Sequence, residues 1–307
     1  MSMFSRVVAF PSPHDYHGFA TVLSAVQGYI VAVLGGLLVG GLLAAAVRRL
    51  PAMLERRWQH QIDALVASRA QSDPRPAPTV PDEPLSSLWM PRAACAACGH
   101  RMRLFEAVPV PGFLLLRGRC PSCRAPLDPA SPLLQLATAA FAVLALWRFG
   151  PHWQALFGFG LAAALLALAA IDATSKLLPD ALTLPLLWAG LLVNRAALFA
   201  SPNSAVIGAA AGYLALWAGA RAFRYCCGRE GLGQGDFKLL AALGAWFGWR
   251  ALPHIVFVAT SAGAAVGLAV MLIRPKRRDA MLPFGPFLAA AALWMLFGGH
   301  TGLLFTV

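Results

Sequence analysis

Charge is what this 307-residue sequence has least of. Only 12% of its residues are Asp, Glu, Lys or Arg, against roughly 25% in a soluble domain. Carboxylates are scarcest: 13 in all, and from residue 132 onward only Asp172, Asp180, Glu230, Asp236 and Asp279. A water-soluble enzyme of this length needs a far more polar surface, so that class is excluded. No internal repeat is evident. The N-terminus also lacks a good cleavable signal: residues 1–17 are mixed, with Asp15 among prolines and histidines, and the first apolar run is long enough to span and is read as a retained helix.

What is present is hydrophobic residue, 59% of the chain, gathered into long runs with almost no charge inside them. This is the pattern of a polytopic helical membrane protein. The net charge of +12 sits in short blocks between the apolar runs, which fits cytoplasmic loops and membrane lipid better than a nucleic-acid surface. The first span is predicted from Gly18 to Val47, closed by Arg48-Arg49. A polar segment follows over 48–131, with twelve arginines, no lysine and seven acids. Its stretch Ser72–Pro84, rich in proline and acid, reads as a flexible linker, and Leu85–Asp128 as a small loop-rich module. Further spans are predicted near 132–149, 155–171, 181–199, 204–220, 236–249, 252–273 and 281–306. The run at 236–249 is short for a full crossing and is expected to begin inside a cavity. The expectation is an all-α polytopic membrane protein of about eight transmembrane helices, divided into 1–47, 48–131 and 132–307.

Placing 48–131 in the cytoplasm puts the loops 172–180, 221–235 and 274–280 there too. These carry Lys176, Arg221, Arg224, Arg229, Arg274, Lys276, Arg277 and Arg278, whereas the opposite loops hold few cations, such as Arg148, Arg195 and Arg250. Eight spans with both ends outside satisfy the positive-inside bias.

An ionisable group beside hydrocarbon is costly and marks a functional site by default. Asp172 ends the apolar run Leu161–Ile171, and Asp236 begins the run Phe237–Trp249. The topology puts both at cytoplasmic helix ends, where they can face each other without crossing the bilayer. Two carboxylates sharing a site cannot both ionise cheaply, so one holds a proton while the other activates water. Asp180, after Pro179, reads as a helix cap, and Asp279, beside Arg277 and Arg278, as an ordinary loop charge. Before Asp236 the chain reads Gly231-Leu232-Gly233-Gln234-Gly235, whose glycines suit close approach of the backbone and unusual conformations. No strand precedes this run and no Gly-Lys-Ser/Thr follows it, which rules out a phosphate-binding loop. Lys238 reads either as a residue that meets charge or substrate near the pair, or as an anchor at the lipid interface.

Cys95, Cys98, Cys120 and Cys123 form two Cys-x2-Cys pairs 21 residues apart, a spacing that can supply four thiolates to a tetrahedral zinc. Two disulfides are the alternative, disfavoured in a reducing cytoplasmic loop. Such a zinc would staple a module with little core, and a closed four-thiolate site leaves no position for catalytic water. His100 is then not needed as a ligand. Cys226 and Cys227, adjacent in a loop, read as ordinary small residues.

Taken together these residues resemble a known family. Gly233-Gln234-Gly235-Asp236 looks like the Gly-x-Gly-Asp motif of intramembrane-type aspartyl proteases, and Phe237-Lys238 extends it as in type IV prepilin peptidases. Ile171-Asp172, Leu177-Leu178-Pro179-Asp180 and the block Leu182–Trp188 with Asn194 resemble that family's first catalytic segment. Pro283-Phe284-Gly285-Pro286-Phe287 resembles its last motif segment, and the cysteine tetrad is found in many members. The resemblance implies Asp172 and Asp236 as the catalytic pair, and Gly233, Gly235 and Lys238 as motif residues near the substrate. It further implies prepilins or pseudopilins of type IV pili or type II secretion as substrates, cut on the cytoplasmic side of the bacterial inner membrane.

Many members also methylate the new N-terminus with S-adenosylmethionine, and here the sequence departs from the pattern. Gly41 and Ala44 stand where Ser and Asn are usual, Ala107 follows Glu106 in place of Asn, and Ala130-Ser131-Pro132-Leu133-Leu134-Gln135 replaces Arg-Tyr-Pro-x-x-Glu. Lost hydrogen-bonding groups predict intact cleavage with methyl transfer weakened or absent. Two other classes remain as readings: a transporter using the aspartates as a proton relay, and an inactive scaffold acting through 48–131.

Overall fold

A computed structural model describes residues 18–70, 95, 97–100, 109–228, 233–273 and 282–298. Among these the chain forms nine α-helices and no β-ladder beyond one isolated bridge, Arg119 to Pro126. They are α1 (Gly18–Ala70), α2 (Pro109–Leu115), α3 (Ala130–Phe149), α4 (Trp153–Ser175), α5 (Asp180–Asn194), α6 (Pro202–Cys227), α7 (Gln234–Phe247), α8 (Leu252–Ile273) and α9 (Gly285–Phe297). A single 3₁₀ turn, Trp249–Ala251, joins α7 to α8. The expected linker Ser72–Pro84, Glu106, Ala107, Gly231 and Asp279 lie outside the described residues.

Five helices are long and apolar enough to cross a membrane: the apolar part of α1, then α3, α4, α6 and the stretch Trp249–Ile273. The fold is therefore helical and multi-pass. α5 and α9 are shorter apolar helices, of 15 and 13 residues, and α7 has 14. α1 extends beyond the expected span: past Arg48-Arg49 the helix continues through Pro51 to Ala70, about 80 Å in all. Loss of hydrophobicity ends a span but not a helix, because residues such as Arg, Glu, Gln and Ala favour helix in water as well.

Small residues set the packing. A Cβ on Gly36 would lie 2.6 Å from Ala139 Cα, and one on Gly40 would lie 2.7 Å from Gln135 Cα. As the number rises along α1 it falls along α3, so the two run antiparallel, backbone against backbone. Gly208 of α6 and Gly244 of α7 face each other in the same way, each leaving room only for the other's carbonyl, and Gly212 sits on Leu240. α7 packs against α5, α6, α8 and α9, and its residues from Asp236 to Phe247 are buried apart from Lys238. A helix apolar all round belongs in a protein interior. Its short length follows: α7 is enclosed by other helices and meets lipid over little of its surface.

Two buried amides tie the frame. Asn194, at the end of α5, donates through Nδ2 to the carbonyls of Ala245 and Trp246 at 2.8 Å each, and its Oδ1 accepts from Phe199 and Ala200 N–H at 2.9 Å. It thereby satisfies carbonyls that the C-terminus of α7 leaves open. Gln135 of α3 donates to the Leu37 carbonyl at 2.6 Å and accepts from Val110 N–H at 2.8 Å, joining α1, α2 and α3.

Candidate functional site

Among the described residues, Asp172 and Asp236 are the only buried carboxylates. Asp172 lies in the last turn of α4 and Asp236 in the first turn of α7. The two are within electrostatic reach of one another. Residues 64 apart in the chain are thus brought to one end of the bundle.

The chain builds Asp172 into place from both sides. Lys176 closes α4 in the left-handed conformation (φ 56°, ψ 30°), at a cost of roughly 1–2 kcal/mol for a side-chain-bearing residue. Its N–H returns to the Asp172 carbonyl at 2.8 Å, and the chain turns at once toward Pro179 and α5. From the other side Gly285, the first residue of α9, donates its N–H to Asp172 Oδ2 at 2.9 Å. A Cβ on Gly285 would stand 2.6 Å from that oxygen, so only glycine permits the contact. Gly285 belongs to the motif segment 283–287, and its bond to Asp172 is the physical content of that segment. An apolar groove of about 210 Å³ opens beside it between α8 and α9, lined by Thr260, Gly263, Phe284 and Phe287 among others.

Of the two roles expected of the glycines before Asp236, close approach is seen and an unusual conformation is not, among the described residues. Gly233 has φ −74° and Gly235 lies within α7, so neither needs a conformation closed to other residues. What Gly235 supplies is close approach: a Cβ there would lie 2.6 Å from Leu178 Cβ, in the loop that follows Asp172. Omitting the side chain lets the two aspartate-bearing segments meet.

Asp180 is not the expected helix cap. Pro179 occupies the cap position with no side-chain cap bond, and the Asp180 carboxylate instead takes Lys238 Nζ at 2.6 and 2.8 Å. Both groups are partly exposed. Lys238, at the third residue after the glycine pair, thus ties α7 to the start of α5 beside the aspartates rather than reaching into lipid.

The four cysteines also meet. Their Sγ atoms all lie within 4.8 Å of one another, with Cys95 to Cys123 at 3.7 Å and Cys98 to Cys120 at 3.8 Å. These separations are far from a disulfide, about 2.05 Å, and close to the roughly 3.8 Å edge of a tetrahedron with sulfurs 2.3 Å from its centre. The two pairs are held by matching turns. Cys95 N–H donates to the His100 carbonyl and Gly99 N–H to Cys95; Cys120 N–H donates to Ala125 and Arg124 N–H to Cys120, all at 2.9 Å. Gly99 and Arg124 take the left-handed conformation at equivalent places. Backbone N–H groups of Ala97 and Cys98 bring the Cys95 thiol down to about 6, so a thiolate forms there readily. The cluster has the donor set and distances to hold a metal ion, and His100 is not part of it. Cys226 and Cys227 are exposed at the end of α6.

Comparison with known proteins agrees with this geometry. A model of the type IV leader peptidase family matches residues 159–268, which include both aspartates, and a model of the bacterial peptidase A24 N-terminal domain matches 34–149. A prepilin leader peptidase/N-methyltransferase of Burkholderia pseudomallei is 49% identical over 281 residues, covering 92% of this chain and 88% of the relative. Proteins of the same name from Aeromonas hydrophila and Pseudomonas aeruginosa are 43% and 42% identical, covering 86% and 87% of this chain and 89% of each relative.

The chain belongs to the type IV leader peptidase family. No solved structure matches it. As a member of the type IV leader peptidase family it is an enzyme, a protease of prepilins, and a multi-pass protein of the inner membrane. Two contacts around the aspartates and α7 escaped a reading from spacing: Gly285 as the hydrogen-bond donor to Asp172, and Asn194 as the clamp on α7. The signal was available only in part, as Gly and Asn within motif segments whose partners lie far along the chain.

Proposed function

We propose that this chain is an aspartyl endopeptidase that removes the short basic leader from type IV prepilins or type II secretion pseudopilins at the cytoplasmic face, using Asp172 and Asp236. The observation that carries the reading is the burial of these two carboxylates at one end of the bundle, within each other's field. The ionised member of the pair takes a proton from water as the water oxygen attacks the scissile carbonyl. The protonated member hydrogen-bonds the developing oxyanion, and its proton passes to the leaving amine as the C–N bond breaks. The pair titrates as a unit, so the two roles belong to the dyad. Gly285 N–H fixes Asp172, Gly235 keeps the Asp236 segment close to Leu178, and the Gly233 carbonyl accepts the Asp236 N–H at 3.2 Å at the start of α7. Lys238, held by Asp180, lies where it can also meet substrate. The cations Lys176, after α4, and Arg221 and Arg224, in the last two turns of α6, support a cytoplasmic orientation for this end.

In the same reading Cys95, Cys98, Cys120 and Cys123 hold a structural zinc that braces the segment 48–131 against the membrane domain 132–307, with 1–47 as the anchor. The metal supplies no catalytic water, because four thiolates close its coordination. Methyl transfer from S-adenosylmethionine is weakened or absent. What supports this is the junction of α1, α2 and α3: Ala44 is buried without a polar group, and both ends of the Gln135 amide are engaged by backbone.

The deciding experiment is cleavage of a prepilin with a basic leader by the wild type, Asp172→Asn and Asp236→Asn, each checked for folding. Asn keeps the shape but cannot ionise. Loss of about 10²–10⁴-fold in each variant is expected for acid–base groups; near wild-type cutting by either would remove that residue from the mechanism. Incubating cleaved pilin with labelled cofactor tests the methylation reading, which efficient transfer would refute.

A further inference from the structure

Among the described residues of 132–307, Asp180 is the only carboxylate that is not buried. It is the first residue of α5, reached from the end of α4 through the turn 176–179, and so stands at the same end of the bundle as the dyad. Leu178, two residues before it, packs on Gly235, the residue before Asp236. These chain links hold Asp180 on the order of 10 Å from Asp236, about three residues of an extended peptide.

Its ion pair does not use up the Asp180 carboxylate. Lys238 Nζ meets both oxygens, at 2.6 and 2.8 Å, and takes one acceptor position on each. A carboxylate has about four such positions, which leaves about two. The Asp180 side chain is 55% exposed and that of Lys238 29%, so the negative member of the pair is the outer one. A cation arriving from water meets the carboxylate first, and the nearer charge sets the sign of the interaction. Around it the charge is positive. Lys176 is exposed in the turn before Asp180, and Arg221 and Arg224 are exposed near the end of α6. Gly208 faces Gly244 and Gly212 sits on Leu240, so α6 runs antiparallel to α7 and its last turns pass beyond the level of Asp236. A basic peptide approaching the dyad is repelled by these cations and finds its acceptor at Asp180.

We propose that Asp180 selects for a basic leader: the open positions of its carboxylate take a Lys or Arg side chain of the substrate on the leader side of the scissile bond, while Lys238 holds the carboxylate in place. The inference rests on the reading that Asp172 and Asp236 cut prepilin leaders, and adds to it the residue that recognises the leader's charge.

Steady-state cleavage by the full chain in neutral detergent tests it, with two prepilins that differ only in the leader: one carries Lys and Arg, the other Gln in their place. The wild type is expected to cut the basic leader with a kcat/KM about two- to fivefold above the neutral one, the difference lying in KM, as one partly exposed ion pair implies. That advantage narrows as salt is raised. Asp180→Asn, which keeps an acceptor for Lys238, brings the ratio of the two substrates to about one; Asp180→Glu keeps it above one; Asp180→Lys turns it below one. The ratio is internal to each variant, so a brace between α5 and α7 that merely weakens lowers both rates and leaves it unchanged. An unchanged ratio in Asp180→Asn therefore overturns the proposal. So does a wild type that shows no preference at low salt, a measurement that needs no variant to fold. Asp172→Asn and Asp236→Asn, run alongside, separate the two possible failures. If both are inactive while Asp180→Asn keeps the wild-type ratio, the dyad stands and the leader is recognised elsewhere. If either cuts at near wild-type rate, the underlying reading falls and this inference with it.

Discussion

Gly285→Ala probes the site by a single carbon. The Gly285 N–H lies 2.9 Å from Asp172 Oδ2, and an added Cβ would stand 2.6 Å from the same oxygen and 3.1 Å from Cγ. To regain ordinary contact near 3.4 Å, the carboxylate or the start of α9 must move by about 0.8 Å. Neither has much freedom: Asp172 and Gly285 are both buried, and the first turns of α9 pack into the core through Leu288 and Ala289. The shift stretches or breaks a hydrogen bond to a charged group, worth about 1.5–3 kcal/mol, which corresponds to a fall of roughly 10–150-fold in rate. It also displaces one member of the dyad by an amount that costs up to about 10²-fold through misorientation alone. Steady-state cleavage of a prepilin with a basic leader is the assay, run beside thermal unfolding in the same detergent. The expected result is a drop of one to two orders of magnitude in kcat with an intact fold. Gly285→Ala turning over within threefold of wild type would refute the idea that this contact positions a catalytic carboxylate.

The remaining predictions concern the parts around it. Purified protein is expected to carry one zinc per chain by elemental analysis, and Cys95→Ser or Cys120→Ser to lose it, the two buried members of the tetrad being the harder to replace. Asn194→Ala strands two N–H groups and two carbonyls around the end of α7, and a loss of about 3–5 kcal/mol measured by chemical unfolding is expected. Gln135→Glu sets an acceptor against the Leu37 carbonyl, now 2.6 Å from the amide nitrogen, and lowers stability by about 1–3 kcal/mol in the same measurement. Lys238→Met removes a partly exposed ion pair and costs at most about 1 kcal/mol of stability; a loss of cleavage far beyond that, with KM raised, assigns Lys238 a contact with substrate.

Much of the site was legible in the chain itself. A carboxylate beside hydrocarbon is conspicuous because its cost is high whatever surrounds it, so Asp172 and Asp236 stood out against a nearly uncharged background. Cysteine spacing was equally informative, since two-residue gaps constrain the turn that presents both sulfurs. The same local reasoning was silent on the helix beyond Arg48-Arg49, where the expected span ends but the helix runs on to Ala70. It failed at Asp180, where the nearest helix start was credited with a side chain that a lysine 58 residues away had claimed.

The sequence by itself determined the membrane class, the helical content, the acidic pair and the four-sulfur cluster, because each depends on residue chemistry or short spacing. Only the tertiary structure decided that Gly285, 113 residues beyond Asp172, donates to it, that Gly208 and Gly244 let α6 and α7 touch, and that Asn194 closes the end of α7. The reason is physical. Hydrophobicity and charge act on each residue through its solvent and can be read one position at a time, whereas a hydrogen bond or a close backbone contact exists only between two atoms that packing has brought together.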